Sequence, residues 1–233
     1  MSNIVINKNY GHKYLSILSM ISITFLITAM IFTYRIIEIG PFLTPGGVVP
    51  FAITYLIAGM ITEIYGYENA RRVIFGNFFC IFIFNLSVFF LLKLPTPSGS
   101  NYQSYSSIFD KSLYIMLIYS SGFFFGDLVN ALCISKWHRL LKGRYFFVRL
   151  TGASVTGQFI FSIIVIPSLY FTTLPLNKLF QQFYMTIVAK LLVILLFSYP
   201  GSIITRVLSI LEGVSINNVP VVVFNPFSIR NKN

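Results

Sequence analysis

Long apolar runs separated by short polar segments dominate this chain. Each run is long enough to cross a bilayer as a helix, which takes about 20 residues. The pattern predicts one integral membrane domain, 1–233, built from six transmembrane helices. The predicted spans lie at about residues 14–37, 48–65, 71–92, 112–135, 151–174 and 183–211.

Turn-forming and basic segments divide the predicted spans. A Pro- and Gly-rich stretch, 40–47, leads into the second span, and the longest polar loop, 95–111, is rich in Pro, Ser, Tyr and Asn. These residue types favour turns and loops over regular structure. A basic loop, 136–149, joins the fourth and fifth spans.

Composition supports an all-α membrane protein. Hydrophobic residues make up 56% of the chain, charged residues only 10%, and mean hydropathy is +0.79. A soluble domain carries about 25% charged residues, because its whole surface must be wetted. No segment remains that could form a soluble catalytic or nucleic-acid-binding domain.

The net charge of +11 is best explained by orientation in the membrane. Lys and Arg collect in cytoplasmic loops, and twelve fall on one side of the predicted topology against four on the other. This bias predicts that both termini and Gly143 face the cytoplasm, while Ser104 faces the periplasm. The twelve are Lys8, Lys13, Arg71, Arg72, Lys136, Arg139, Lys142, Arg144, Arg149, Arg206, Arg230 and Lys232.

Ionisable residues inside the spans are the first candidates for a site, since hydrocarbon penalises each by about 2.5–3.5 kcal/mol. They are Glu63, Asp127 and Lys190. Asp127 and Lys190 have opposite charges, so they are expected to approach each other, either as a structural ion pair or around a solute. Glu63 could equally lie at the interface with its carboxylate directed towards water.

Two neutral amides extend this set. Asn130 lies three residues after Asp127 on the same helical face, and Gln158 lies in the middle of the fifth span. Amides and carboxylates provide donors and acceptors for a planar solute, and Phe or Tyr can stack on its ring. The predicted substrate-binding residues are Glu63, Asp127, Asn130, Gln158 and Lys190.

Missing motifs disfavour an enzyme. The chain has no phosphate-binding P-loop, no G-x-S-x-G and no H-E-x-x-H, and its histidines, His12 and His138, lie in predicted loops. Cys80 and Cys133 fall within apolar spans and are interpreted as packing residues. No catalytic residue, metal site or cofactor is predicted.

Several motifs resemble the VUT family of queuosine-precursor transporters. The most specific is the run 51–66 with its T-E-x-Y-G sequence, followed by Ala70-Arg71-Arg72. A further similarity lies at 119–130. Single matching positions follow it along the chain, namely Arg149, Gly152, Ser154, Gln158, Lys190 and Pro200. The resemblance implies six helices, similar to the substrate-binding subunits of energy-coupling-factor vitamin transporters.

The same resemblance implies a cargo and a location. It indicates uptake of 7-cyano-7-deazaguanine or a similar deazapurine across the bacterial inner membrane. The chain departs from the family pattern at Gly59, Asn130 and Phe161, where aspartates are expected. At position 127 the difference is reversed, because this chain has an aspartate where an uncharged amide is common in the family.

Three hypotheses for function follow. The first is a carrier for a small, planar, nitrogen-rich solute, and the second is a substrate-binding subunit that needs a separate ATPase. The third is a structural membrane protein without cargo, in which the polar residues only bridge helices. The expected partners are a small-molecule solute and the lipid bilayer, with a homo-oligomer left open and no nucleic acid.

Overall fold

The computed structural model describes residues 12–33, 35–39, 42–95, 112–170 and 175–214. Within these ranges the fold is helical apart from one short β-hairpin. Its elements are α1 (Leu15–Phe32), β1 (Ile36–Ile39), β2 (Phe42–Pro45), α2 (Val48–Leu92), α3 (Ser112–Leu140), α4 (Phe146–Tyr170) and α5 (Leu176–Leu211). All five helices are long and apolar enough to cross a membrane. The all-helical class is therefore confirmed, with five separate helices where six were expected. Most of the predicted polar loop lies outside the described residues.

The segment between α1 and α2 differs from its prediction. α1 ends at Phe32, whereas the first span was expected to reach residue 37, and the residues that follow pair as antiparallel strands. Ile36 lies opposite Pro45 and Ile39 opposite Phe42. β-Branched residues before a Pro- and Gly-rich sequence favour a hairpin over a further helical turn.

A break at Gly66 divides α2 into two arms. Gly66 has φ 82° and ψ 168°, a conformation that is readily available only to glycine. An unbroken helix would place Phe51 and Ile81, which lie equally far from Gly66, roughly 45 Å apart. Both instead belong to one hydrophobic cluster with Leu26. The two arms therefore fold back beside one another, and they occupy the predicted second and third spans.

The arms of α2 form the centre of the bundle, because α2 packs against each of the other four helices. Four hydrophobic clusters fill the spaces between them. The outer faces of the helices carry many exposed large apolar side chains, as expected where lipid replaces water. They include Phe79, Phe90, Tyr114, Leu196 and Ile210.

Candidate functional site

Glu63 lies one helical turn before the break in α2 and forms a buried salt bridge with Arg149 at the start of α4. Arg149 Nη1 donates to Glu63 Oε2 at 2.6 Å, and Nη2 donates to Oε1 at 2.8 Å. His138 Nδ1 lies 3.2 Å from the same Oε1. Arg149 is completely buried, so the carboxylate compensates a charge that would otherwise be very costly there.

The remaining donors of Arg149 anchor the turn between α3 and α4. Its Nε donates to the Arg144 carbonyl oxygen at 3.0 Å, and Nη2 also donates to that of Gly143 at 3.1 Å. Arg149 was expected in a basic loop, and this role was not predicted. The signal that could have revealed it was its match to the resembled family. Together these bonds connect α2 to the α3–α4 turn.

Asp127 and Asn130 form a second polar group, with Tyr55 of α2 beside them. Asn130 Nδ2 donates to the Tyr55 carbonyl oxygen at 2.8 Å, and the Tyr55 side chain lies close to the Asp127 carboxylate. Asp127 and Asn130 are completely buried. Neither Asp127 oxygen has a hydrogen-bond partner, and the same is true of the Tyr55 hydroxyl and Asn130 Oδ1. Tyr55 was not predicted as part of a site, because nothing in the sequence distinguishes it from the other tyrosines.

The expected approach of Asp127 and Lys190 is wrong. Asp127 and Lys190 form no ion pair with each other, and the acidic partner of Arg149 is Glu63. Lys190 instead donates to Ser162 Oγ at 3.3 Å, and its Nζ lies 4.0 Å from the centre of the Phe161 ring. The packing of α5 against α4 places Lys190 beside Ser162 and Phe161, whereas Asp127 lies beside Tyr55.

A cavity lies beside Lys190. Its volume is about 30 Å³, which is enough for about two water molecules. Three mutually contacting aromatic rings form one wall, with centroid distances of 5.0–5.6 Å. They belong to Phe51, Tyr119 and Phe161, and the polar side chains of the lining are those of Thr33, Gln182, Thr186 and Lys190.

Gln158 borders the aromatic wall from α4. Its Nε2 donates a long hydrogen bond of 3.4 Å to the Phe51 carbonyl oxygen, while its Oε1 has no hydrogen-bond partner. The structure thus separates the five predicted residues into three groups. Lys190 and Gln158 both adjoin the aromatic residues of the cavity, Asp127 and Asn130 adjoin Tyr55, and Glu63 belongs to the salt bridge.

One further buried carboxylate was missed. Glu212 follows the last residue of α5, and its Oε1 accepts hydrogen bonds from the Tyr14 backbone N–H at 2.8 Å and the Tyr65 hydroxyl at 2.6 Å. A carboxylate at the beginning of a helix satisfies free N–H groups and interacts favourably with the helix dipole. Glu212 thus joins the carboxyl end of α5 to the start of α1, a contact between distant segments that no local pattern indicates.

Comparison with known proteins gives one match. The family model described as "Putative vitamin uptake transporter" matches residues 45–204, which include both arms of α2, α3, α4 and most of α5. No curated protein and no solved structure matches the sequence. The matched range contains all five predicted site residues.

Proposed function

We propose that this chain, which belongs to the vitamin uptake transporter family whose model it matches, carries a queuosine precursor into the cell. Membership of that family indicates a membrane protein for uptake of a small solute. The cargo we propose is 7-cyano-7-deazaguanine or a similar planar, nitrogen-rich deazapurine. This choice rests on the resemblance of the motifs at 51–66 and 70–72 and on the chemistry of the cavity beside Lys190.

The single observation that supports this function best is a buried lysine side chain beside an aromatic wall. Lys190 provides up to three hydrogen-bond donors, which suit the carbonyl, nitrile and ring nitrogen acceptors of a deazaguanine. Phe51, Tyr119 and Phe161 offer faces and edges on which its flat ring can stack. The unpartnered Oε1 of Gln158 adds an acceptor for a ring N–H or an amino group.

The cavity is too small to hold a cargo of this size. Sites for small molecules usually measure about 300–1,000 Å³, which is at least ten times the volume found beside Lys190. We infer that this conformation is occluded and that movement of the aromatic wall admits the cargo. Transporters commonly hold their substrate between helices near the bilayer midplane and open to one side at a time.

Three of the five predicted residues, Glu63, Asp127 and Asn130, lie outside the cargo site that we propose. Glu63 uses both oxygens on Arg149, so we assign it to holding the helices in register and leave it out of the cargo site. Asp127 lies two helical turns beyond Tyr119 on α3, away from the cavity wall, and Asn130 follows it. We therefore place the cargo between Lys190 and Gln158.

The proposed topology has six membrane crossings, because the two arms of α2 each make one. A straight helix of 45 residues would measure roughly 68 Å, about twice the hydrocarbon thickness of a bilayer. The basic segment 136–149 supports a cytoplasmic location for the α3–α4 turn and for both termini in the bacterial inner membrane. Lys8, Lys111, Arg230 and Lys232, which entered the charge count, lie outside the described residues.

Uptake tests this function directly. A bacterial mutant unable to import the precursor is complemented with the full chain, and queuosine in its tRNA is measured together with uptake of labelled 7-cyano-7-deazaguanine. Lys190→Met keeps the length of the side chain but removes its donors, so uptake per folded molecule should fall at least about tenfold, or 1.4 kcal/mol. Lys178→Met, which removes an exposed lysine from the same helix, is the matched control.

Four results would contradict the proposal or one part of it. If the wild-type chain neither restores queuosine nor takes up the labelled precursor, the cargo is wrong. If both lysine variants retain uptake, the cavity beside Lys190 is not the cargo site. Copurification of an ATPase that is required for uptake would instead identify a substrate-binding subunit. A melting temperature unaffected by the precursor would favour a protein without cargo.

A further inference from the structure

Asp127 is the most unusual polar group in the described part of the chain. Its side chain is completely buried, lies within α3, and leaves both oxygens without a hydrogen-bond partner. An isolated carboxylate charge in such a place is strongly unfavourable unless a cation compensates it. The neighbouring basic residues do not do so, because Lys190 bonds to Ser162 and Arg149 to Glu63. Either a bound cation or a bound proton is therefore expected to neutralise the Asp127 carboxylate.

The groups that face Asp127 are neutral and rich in oxygen. From α2 it is approached by the titratable Tyr55, whose hydroxyl has no partner, and on α3 by Asn130, whose Oδ1 has none. From α4, Gly157 packs against Gly126 and the Tyr55 ring, next to Asp127 in the chain and in space respectively, and α1 has no acidic or basic side chain between Leu15 and Phe32. The surroundings offer acceptors for one O–H group and no competing charge.

The space at this position suits a proton better than a metal ion. Gly126 and Gly157 meet where α3 crosses α4, and a Cβ on either would overlap its neighbours or lie 2.7 Å from the opposite carbonyl oxygen. The Tyr55 ring closes the same crossing. A metal ion would need several oxygen ligands arranged around it, which requires room that this packing does not provide. A proton needs no additional space, because it binds directly to a carboxylate oxygen.

We propose that Asp127 is a proton-binding site through which this transporter couples cargo uptake to the movement of protons. The carboxylate takes one proton from water on the outer side and becomes a neutral carboxylic acid. The acid O–H can then donate to Tyr55 or Asn130 in the occluded bundle. When the bundle opens inward, the same proton passes to water, the carboxylate is restored, and no other bond changes.

The coupling part of this inference rests on the proposed function, whereas the protonation of Asp127 does not. The first measurement is therefore spectroscopic. Infrared spectra of the purified full chain at neutral pH should contain the C=O stretching band of a protonated carboxylic acid. Asp127→Asn should lose that band, and Glu68→Gln, which removes an exposed carboxyl group, should retain it.

The second measurement separates exchange from accumulation. In proteoliposomes loaded with 7-cyano-7-deazaguanine, Asp127→Asn should retain exchange of labelled for unlabelled cargo, because the amide resembles the neutral acid. Its accumulation driven by an imposed pH gradient should fall at least tenfold, while Glu68→Gln behaves as wild type. Asp127→Glu, which keeps a titratable group, should recover part of both the band and the accumulation. A melting temperature near that of wild type verifies that each variant is folded.

Several outcomes would overturn the proposal. One is a wild-type spectrum without an acid band, and another is a band that persists in Asp127→Asn. Stabilisation of wild type by Na⁺ that is lost in Asp127→Asn would assign the site to a metal cation instead. If the band depends on Asp127 but wild type transports no deazapurine, the protonation stands, and it is the proposed cargo that fails.

Discussion

The Glu63 carboxylate and the Arg149 guanidinium form two parallel hydrogen bonds, 2.6 and 2.8 Å long, between the first arm of α2 and the start of α4. Such bidentate pairs are among the stronger hydrogen bonds in proteins. Because His138 and two backbone carbonyl groups join them, the pair organises the end of the bundle at which α2 breaks. Neither side chain is available to a solute in this conformation.

Breaking this salt bridge should be strongly destabilising. Glu63→Gln leaves the Arg149 charge buried without a counter-charge, and the expected cost is about 3–5 kcal/mol of folding free energy. The melting temperature in detergent should fall markedly, and Glu68→Gln on the exposed face of α2 should leave it unchanged. An unaffected melting temperature in Glu63→Gln would show that the pair does not hold the helices together.

Glycines at the crossing of α3 and α4 should tolerate no side chain. In Gly126→Ala the new Cβ would overlap the Tyr55 hydroxyl and lie 2.7 Å from the Gly157 carbonyl oxygen. We expect a loss of about 1–3 kcal/mol, because overpacking forces the helices apart. Gly76→Ala provides the control, since a Cβ there meets nothing within 4 Å and alanine favours the helix by about 1 kcal/mol. Equal melting temperatures for the two variants would contradict this packing.

Gln158 should matter for uptake more than for folding. Its hydrogen bond to Phe51 is long and its Oε1 is unpartnered, so Gln158→Leu sacrifices little within the protein. Loss of the amide would leave polar atoms of the cargo buried and unpaired, which should cost about 1–3 kcal/mol of affinity. Uptake and melting temperature are measured on the same preparation, with Gln181→Leu, an exposed amide on α5, as control. A lower melting temperature with normal uptake would remove Gln158 from the site.

The orientation can be tested by cysteine labelling. Gly143 is unsuitable for the cytoplasmic side because its φ of 74° strains any other residue, and Ser104 lies outside the described residues. After Cys80→Ser and Cys133→Ser, an impermeant maleimide should label Lys178→Cys in intact cells. Arg139→Cys should react only after the membrane is permeabilised. The reverse result would invert the proposed topology.

The sequence alone was enough to identify this protein as all-helical and rich in helices that can span a membrane. A run of about 20 apolar residues needs no tertiary information to be identified as a span, because its length and its hydropathy are properties of the chain itself. Three of the buried ionisable residues were also identifiable, since an apolar run makes Glu63, Asp127 and Lys190 conspicuous. Their identification required only that they lie within such runs.

Which of these groups contact one another depends on the tertiary fold. Asp127 and Lys190 lie on different helices, and the rotation of one helix relative to another depends on side-chain packing that no single apolar run specifies. The opposite charges of Asp127 and Lys190 therefore suggested an ion pair that is not formed. Arg149, the actual partner of Glu63, was expected to lie in a loop. The hairpin of β1 and β2 was not predicted for a similar reason. Whether a short stretch forms a strand depends on its pairing with another segment more than on its own hydropathy.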